Sequence, residues 1–256
     1  MTLHIERPGT QIALPLIVAA LLPALVRFGF TLTPDLWLFA PDLLIIVAAS
    51  LVLTLGFWVG RTALALVTVV ALGEAALICL FQLAGIGGPG AGVAFGLVQV
   101  DAFALVLKLV FIAVALLVAL ASPTAMPGRG NQGEYYCLLL FATVGMMIVA
   151  GSRDLIILFL GFELSSFASY ALAAFRRHDG VSVEAGMKFF INGSLSSAII
   201  LFGISICYAL TAAAPSPNVV PGDVSFANLA ALFSAGFDPF NPLVVFAVMF
   251  LLAGFG

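Results

Sequence analysis

Charge is what this chain has least of. Only 8% of its 256 residues are charged, against 63% hydrophobic, and the mean hydropathy is +1.25. A soluble domain is about a quarter charged, so a water-soluble globule is excluded and an integral membrane protein implied. The formal charge of −3 is dispersed, with no basic run. That excludes a nucleic-acid surface and gives no patch for anionic lipid. Histidine and cysteine are scarce too. His4 lies at the N-terminus and His178 in a charged turn, while Cys79, Cys137 and Cys207 sit inside apolar segments without metal-ligand spacing. The thiols read as small buried hydrophobes, and no metal site is visible.

Lysine is the scarcest charge, with two against seven arginines. Most arginines punctuate segment ends and loops, whereas Lys108 and Lys188 both lie inside apolar runs. Arg stays charged at any working pH, while Lys changes protonation readily when desolvated. Membrane-end anchoring alone gives no reason to divide the two residue types in this way.

What is abundant is apolar length. After a polar start, an apolar run covers 12–32, read as a retained spanning or interfacial helix rather than a cleaved signal peptide. Further spans are expected over 36–58, 62–84, 99–121, 135–151, 154–175 and 183–210. Each is near the ~20 residues that cross a bilayer. Residues 211–240 hold four prolines and read as an extramembrane loop. Within it Ser225 is placed to cap a short amphipathic helix through Phe226, Leu229, Leu232 and Phe233. A last run from Asn241-Pro242 to Gly256 is too short to span, which implies a fragment of a longer protein. The expected organisation is therefore 1–35, an extra N-terminal piece; 36–121, three spans; 122–210, the helices around a buried acid and base; 211–240, the loop; and 241–256, the start of a further helix. Arg61, Arg129 and Arg176-Arg177 fall on one side of alternating spans and Arg153 on the other, which makes the first side cytoplasmic or matrix.

The chemistry concentrates between Ser152 and Leu210, where two apolar helices flank the turn Arg176-Arg177-His178-Asp179-Gly180. Glu163 lies inside the first helix and Lys188 inside the second. A charge at the centre of a spanning helix costs ~3 kcal/mol, so such residues face a protein interior or water and mark functional sites. Ser166 and Tyr170 follow on the face of Glu163 and can bind water or donate to its carboxylate. Glu184, Lys188, Asn192 and Ser196 recur every fourth residue as a polar stripe. At ~1.5 Å per residue, Glu163 lies ~19 Å and Lys188 ~9 Å from the turn, a height difference of ~10 Å that one or two waters bridge. Such a pair either relays protons or pins two helices together. Glu184 either caps its helix or extends the stripe; Lys108 either relays or snorkels toward the interface near Asp101. Glu74 is deep and has no local partner, so it is a relay member or the partner of a cation on another subunit.

DLIILFLGFELSSFASYALAAFRRHDG followed by VEAGMKFFINGSLSSAIILFGISICY resembles the antiporter-like membrane subunits of respiratory complex I, as do VDAFALVLKLV and PDLLIIVAASLVL upstream. The resemblance covers about 40–256, and GFEL paired with EAGMKFF is its most specific part. It implies an all-α polytopic transmembrane bundle, the N-terminal half of a fourteen-helix subunit. It also implies a proton-translocating role in NADH:quinone oxidoreductase, with Glu163 and Lys188 as the relay; Lys108 and Glu74 stand beside them as possible relay members on the reading of the residues alone. No cofactor is implied in this chain. The complex would use NADH, quinone, FMN and iron–sulfur clusters, and the partners would be other membrane subunits and the lipid bilayer, not nucleic acid. Its location would be a bacterial or archaeal inner membrane or an organellar energy-converting membrane. A multi-subunit cation/proton antiporter shares the same helix pair and stands as the alternative, beside a purely structural helix-pinning subunit.

Overall fold

The computed structural model describes residues 33–86, 88, 90–125, 131–213, 218–236 and 238–256. The apolar run 12–32 and the loop residues 126–130 with Arg129 lie outside them. The chain forms two compact units, Met1–Gly151 and Ser152–Gly256. The boundary falls inside the block expected over 122–210.

In the first unit, α1 (Pro34–Leu38) and α2 (Ala40–Leu55) replace the single span expected over 36–58. Phe39 leaves the helical conformation with φ −90° and ψ 2°, and Pro41, which has no N–H to donate, starts α2 afresh. α3 (Arg61–Leu83) is followed by an antiparallel hairpin, β1 (Gly92–Ala94) and β2 (Val98–Val100), pairing Gly92 with Val100 and Ala94 with Val98. Phe95 (φ 53°) and Gly96 (φ 73°) occupy the turn, as the tight hairpin turns with positive φ require. The span expected from residue 99 therefore begins only at α4 (Ala102–Ala125), capped by Asp101, whose Oδ1 accepts from the Ala104 N–H at 2.8 Å. α5 (Gln132–Gly151) starts three residues before its expected bound.

α2 packs on α3 and α5, and α4 packs on both α3 and α5. The core is aliphatic, built from Leu44, Ile45, Val52, Leu72, Leu105, Ile112, Leu140 and Met147. α2 ends at Gly56 because it meets α5 at Gly133: a Cβ on Gly56 would stand 2.8 Å from the Gly133 Cα. Two backbones come that close only where both side chains are absent.

In the second unit, α6 (Leu155–Ala173) and α7 (Gly180–Ala212) run antiparallel across the charged turn. Asp154 caps α6 and Asp179 caps α7, each through its side chain. α8 (Phe226–Ser234) is the amphipathic helix expected in the loop. The Ser225 hydroxyl caps it by accepting from the Asn228 N–H at 3.3 Å. Buried Asn228 ties the loop down, accepting from the Val220 N–H and donating to the Val220 and Asp223 carbonyls. α9 (Pro242–Phe255) lies against α7, and a core of Leu155, Phe159, Ile200, Ile204, Cys207, Val224 and Ala247 joins the unit.

Among the described residues, five helices are long and apolar enough to cross a membrane, beginning at Thr62, Ala102, Gln132, Leu155 and Gly180, while α2 and α9 are shorter apolar helices. The chain is a multi-pass integral membrane protein with a helical fold, to which the hairpin is a small β addition.

Candidate functional site

Glu163 stands near the middle of α6, eight residues after Leu155 and ten before Ala173. Its half-buried carboxylate accepts from the hydroxyl of Ser197, a buried residue of α7. The Ser197 oxygen also lies 3.0 Å from the Gly193 carbonyl one turn back. A serine hydroxyl has one proton to give, so it serves one of these two acceptors at a time. An ionised carboxylate accepts that hydrogen bond, whereas a protonated one can donate to the serine oxygen and leave the serine hydroxyl to the Gly193 carbonyl.

The sequence marks Ser197 only as a small residue, with Gly186, Gly193 and Ser194, that lets helices approach closely, and not as a partner of Glu163. The four-residue stripe selects Ser196, whose hydroxyl bonds its own helix at the Asn192 carbonyl, 3.1 Å away. Adjacent serines point ~100° apart on a helix, and only the packing of α6 on α7 reveals which one meets Glu163.

Lys188 has a different partner from Glu163. Its ammonium lies 2.5 Å from Glu184 on its own helix, and both side chains are well exposed. Nine residues separate Lys188 from Ser197, which is ~180° around α7 and ~13 Å along it. Direct contact between Glu163 and Lys188 is therefore not made. Glu184 does not cap α7 either; Asp179 does, and Glu184 serves Lys188. Asn192 is exposed on the Lys188 side, and Ser166 lies half-buried one turn after Glu163. Tyr170 is buried two turns after Glu163, its ring edge-on to Phe189 at 4.7 Å.

Lys108 does not snorkel. It is fully buried and lies 2.5 Å from Asp42 of α2, whose side chain is also fully enclosed. Asp42 is a residue the sequence reading passed over. Its other oxygen, Oδ1, has no hydrogen-bond partner among the described residues, and neither has Oε2 of half-buried Glu74. Among the described residues, no three His, Cys, Asp or Glu side chains gather where they could hold a metal ion.

A carboxylate at the middle of one apolar helix, bonded to a serine of its antiparallel neighbour, sits inside the bundle of a multi-pass membrane protein. Residues 152–256 match the family described as NADH:quinone oxidoreductase/Mrp antiporter, TM. Over 230 residues the chain is 37% identical to NADH-quinone oxidoreductase subunit N of Sphingopyxis alaskensis, covering 88% of this chain and 44% of that protein. It is 41% identical over 158 residues to F(420)H(2) dehydrogenase subunit N of Methanosarcina mazei, covering 62% of this chain and 30% of the relative. The chain thus spans less than half the length of these relatives. Among solved structures it resembles a chain of respiratory complex I from Thermus thermophilus, with TM-score 0.64 and 25% identity over 84% of this chain and 42% of that one. A chain of an archaeal membrane-bound sulfane sulfur reductase shares the fold, with TM-score 0.71 and 22% identity over 86% of this chain and 44% of that one.

Proposed function

We propose that this chain belongs to a proton-translocating membrane subunit of an NADH:quinone oxidoreductase, in which Glu163 and Lys188 carry protons with the help of water. The observation that carries the reading is the Glu163–Ser197 contact, an acid at mid-helix bonded to a hydroxyl that has a second acceptor within reach. Lys188 enters from the turn side beside Glu184, with Asn192 and Ser196 between it and the interior. With a height gap of ~13 Å, water and intervening hydroxyls must connect the two ends. Lys108 and Glu74 are further buried ionisable groups available to the same task.

Quinone reduction, flavin and iron–sulfur chemistry belong to other subunits in this reading, and the partners are membrane subunits of the same complex. The relatives carry names for two electron donors, NADH and F(420)H(2), so the donor is set elsewhere. A cation/proton antiporter subunit is the second reading, favoured by the breadth of the matching family.

The test uses the full-length subunit in its assembled complex, reconstituted in vesicles. Glu163→Gln and Lys188→Ala should each remove most proton uptake per electron delivered to quinone. Wild-type proton output in either variant would overturn the reading. Sodium-dependent proton flux without quinone would transfer it to the antiporter.

A further inference from the structure

Tyr170 lies seven residues after Glu163, ~20° around α6 and ~10 Å along it, so its hydroxyl stands on the carboxylate's face toward the Lys188 end. The ring is fixed on three sides, with centroids 6.0 Å from Phe167, 4.7 Å from Phe189 and 5.8 Å from Phe190. Its hydroxyl is pressed onto α7 at Gly193, where a Cβ would overlap the phenolic oxygen. Gly193 is the same residue whose carbonyl competes with Glu163 for the Ser197 proton. The order across the helix pair is therefore Glu163, Ser197, Gly193, Tyr170, and next to Gly193 in the chain stands Asn192 of the Lys188 stripe.

We propose that a hydroxyl at the Tyr170–Gly193 contact is the positioning element that links the Glu163–Ser197 pair to the polar stripe of α7. The inference rests on the proton-carrying reading of Glu163 given above. The hydroxyl accepts a proton from water on the Lys188 side and gives its own to a water on the Ser197 side; that water protonates the Ser197 oxygen as the serine proton passes to an ionised Glu163, so atoms and charge balance and no redox partner is needed. It also fixes where water can stand beside the Gly193 carbonyl, and so biases which acceptor Ser197 serves. Gly193 is glycine because the tyrosine oxygen fills the space where its side chain would be.

Tyr170→Phe keeps the ring packing and removes only the oxygen. In the assembled, vesicle-reconstituted complex, Tyr170→Phe should slow proton uptake per electron by roughly threefold to tenfold, the weight of one hydrogen bond.

A ring that only packs would give no such loss. Infrared difference spectra supply a second readout that packing would not move. The carboxyl C=O band of Glu163, identified by its disappearance in Glu163→Gln, should shift in Tyr170→Phe. Wild-type proton output and an unmoved band in Tyr170→Phe would overturn the inference. Glu163→Gln, run in the same membranes, separates the two levels. If it pumps fully, the reading of the site falls; if it does not pump while Tyr170→Phe does, only the hydroxyl link falls.

Discussion

Lys108 and Asp42 are 66 positions apart in the chain and 2.5 Å apart in space, with neither side chain exposed. Two charges removed from both water and lipid roughly cancel each other's desolvation, so the pair adds little net stability. Removing one member is a different matter. Lys108→Met strands an unpaired carboxylate and should cost about 3–5 kcal/mol, read as lost accumulation and a lowered unfolding temperature of the subunit in detergent. Asp42→Leu/Lys108→Met, which leaves no charge behind, should recover most of that loss. A double variant as unstable as the single would show that the pair is more than mutually compensating.

Lys188→Ala should cost less than about 1 kcal/mol, because its partner Glu184 is a helical neighbour and both are well exposed. Thermal unfolding of the variant should therefore match wild type, and a loss of proton output would then report on transport rather than folding. A large drop in unfolding temperature would mean that other groups cover this face.

Gly133→Val should uncouple α5 from α2, since a side chain there collides with the Gly56 backbone. Gly73→Ala is the control. A Cβ at Gly73, inside α3, would meet nothing within 4 Å, and replacing a helical glycine by alanine is worth roughly 0.5–1 kcal/mol of stabilisation. Unfolding temperatures should move in opposite directions for the two variants. Equal shifts would argue against the close crossing.

Ser225→Ala should cost about 1 kcal/mol through loss of the α8 cap. Asn228→Ala should cost more, about 1–3 kcal/mol, because it strips partners from the Val220 N–H and from the Val220 and Asp223 carbonyls. Amide hydrogen exchange over 218–225 should rise in Asn228→Ala well beyond its rise in Ser225→Ala. The reverse order would locate the loop's stability in the cap.

Where structure depends on local signals, the sequence was a good guide. Lipid-length apolar runs marked the five long helices, and Ser225 ahead of a 3.6-residue apolar pattern marked α8. The hairpin escaped because strands of three residues carry no usable alternation, and its apolar residues merge with the run that follows. Asp42 escaped because it stands in the first turn of its helix, where an acid is ordinarily a dipole partner; only folding brings Lys108 to it. The site was half legible. Glu163 stood out as a charge in hydrocarbon, but a strict four-residue repeat drifts around a 3.6-residue helix, so it led to Ser196 and away from Ser197.

Thirty-three residues make α7 about 50 Å long, against a hydrocarbon layer of about 30 Å. A rod of that length must lean or emerge from the bilayer. Its ammonium at Lys188 sits about 12 Å from the near end, within reach of the headgroup boundary. Small changes in the lean of α7, or in membrane thickness, would therefore carry this cation between water and oil, while Ser197 stays far inside. Bilayer thickness thereby sets how deep this one cation rides, without any ligand.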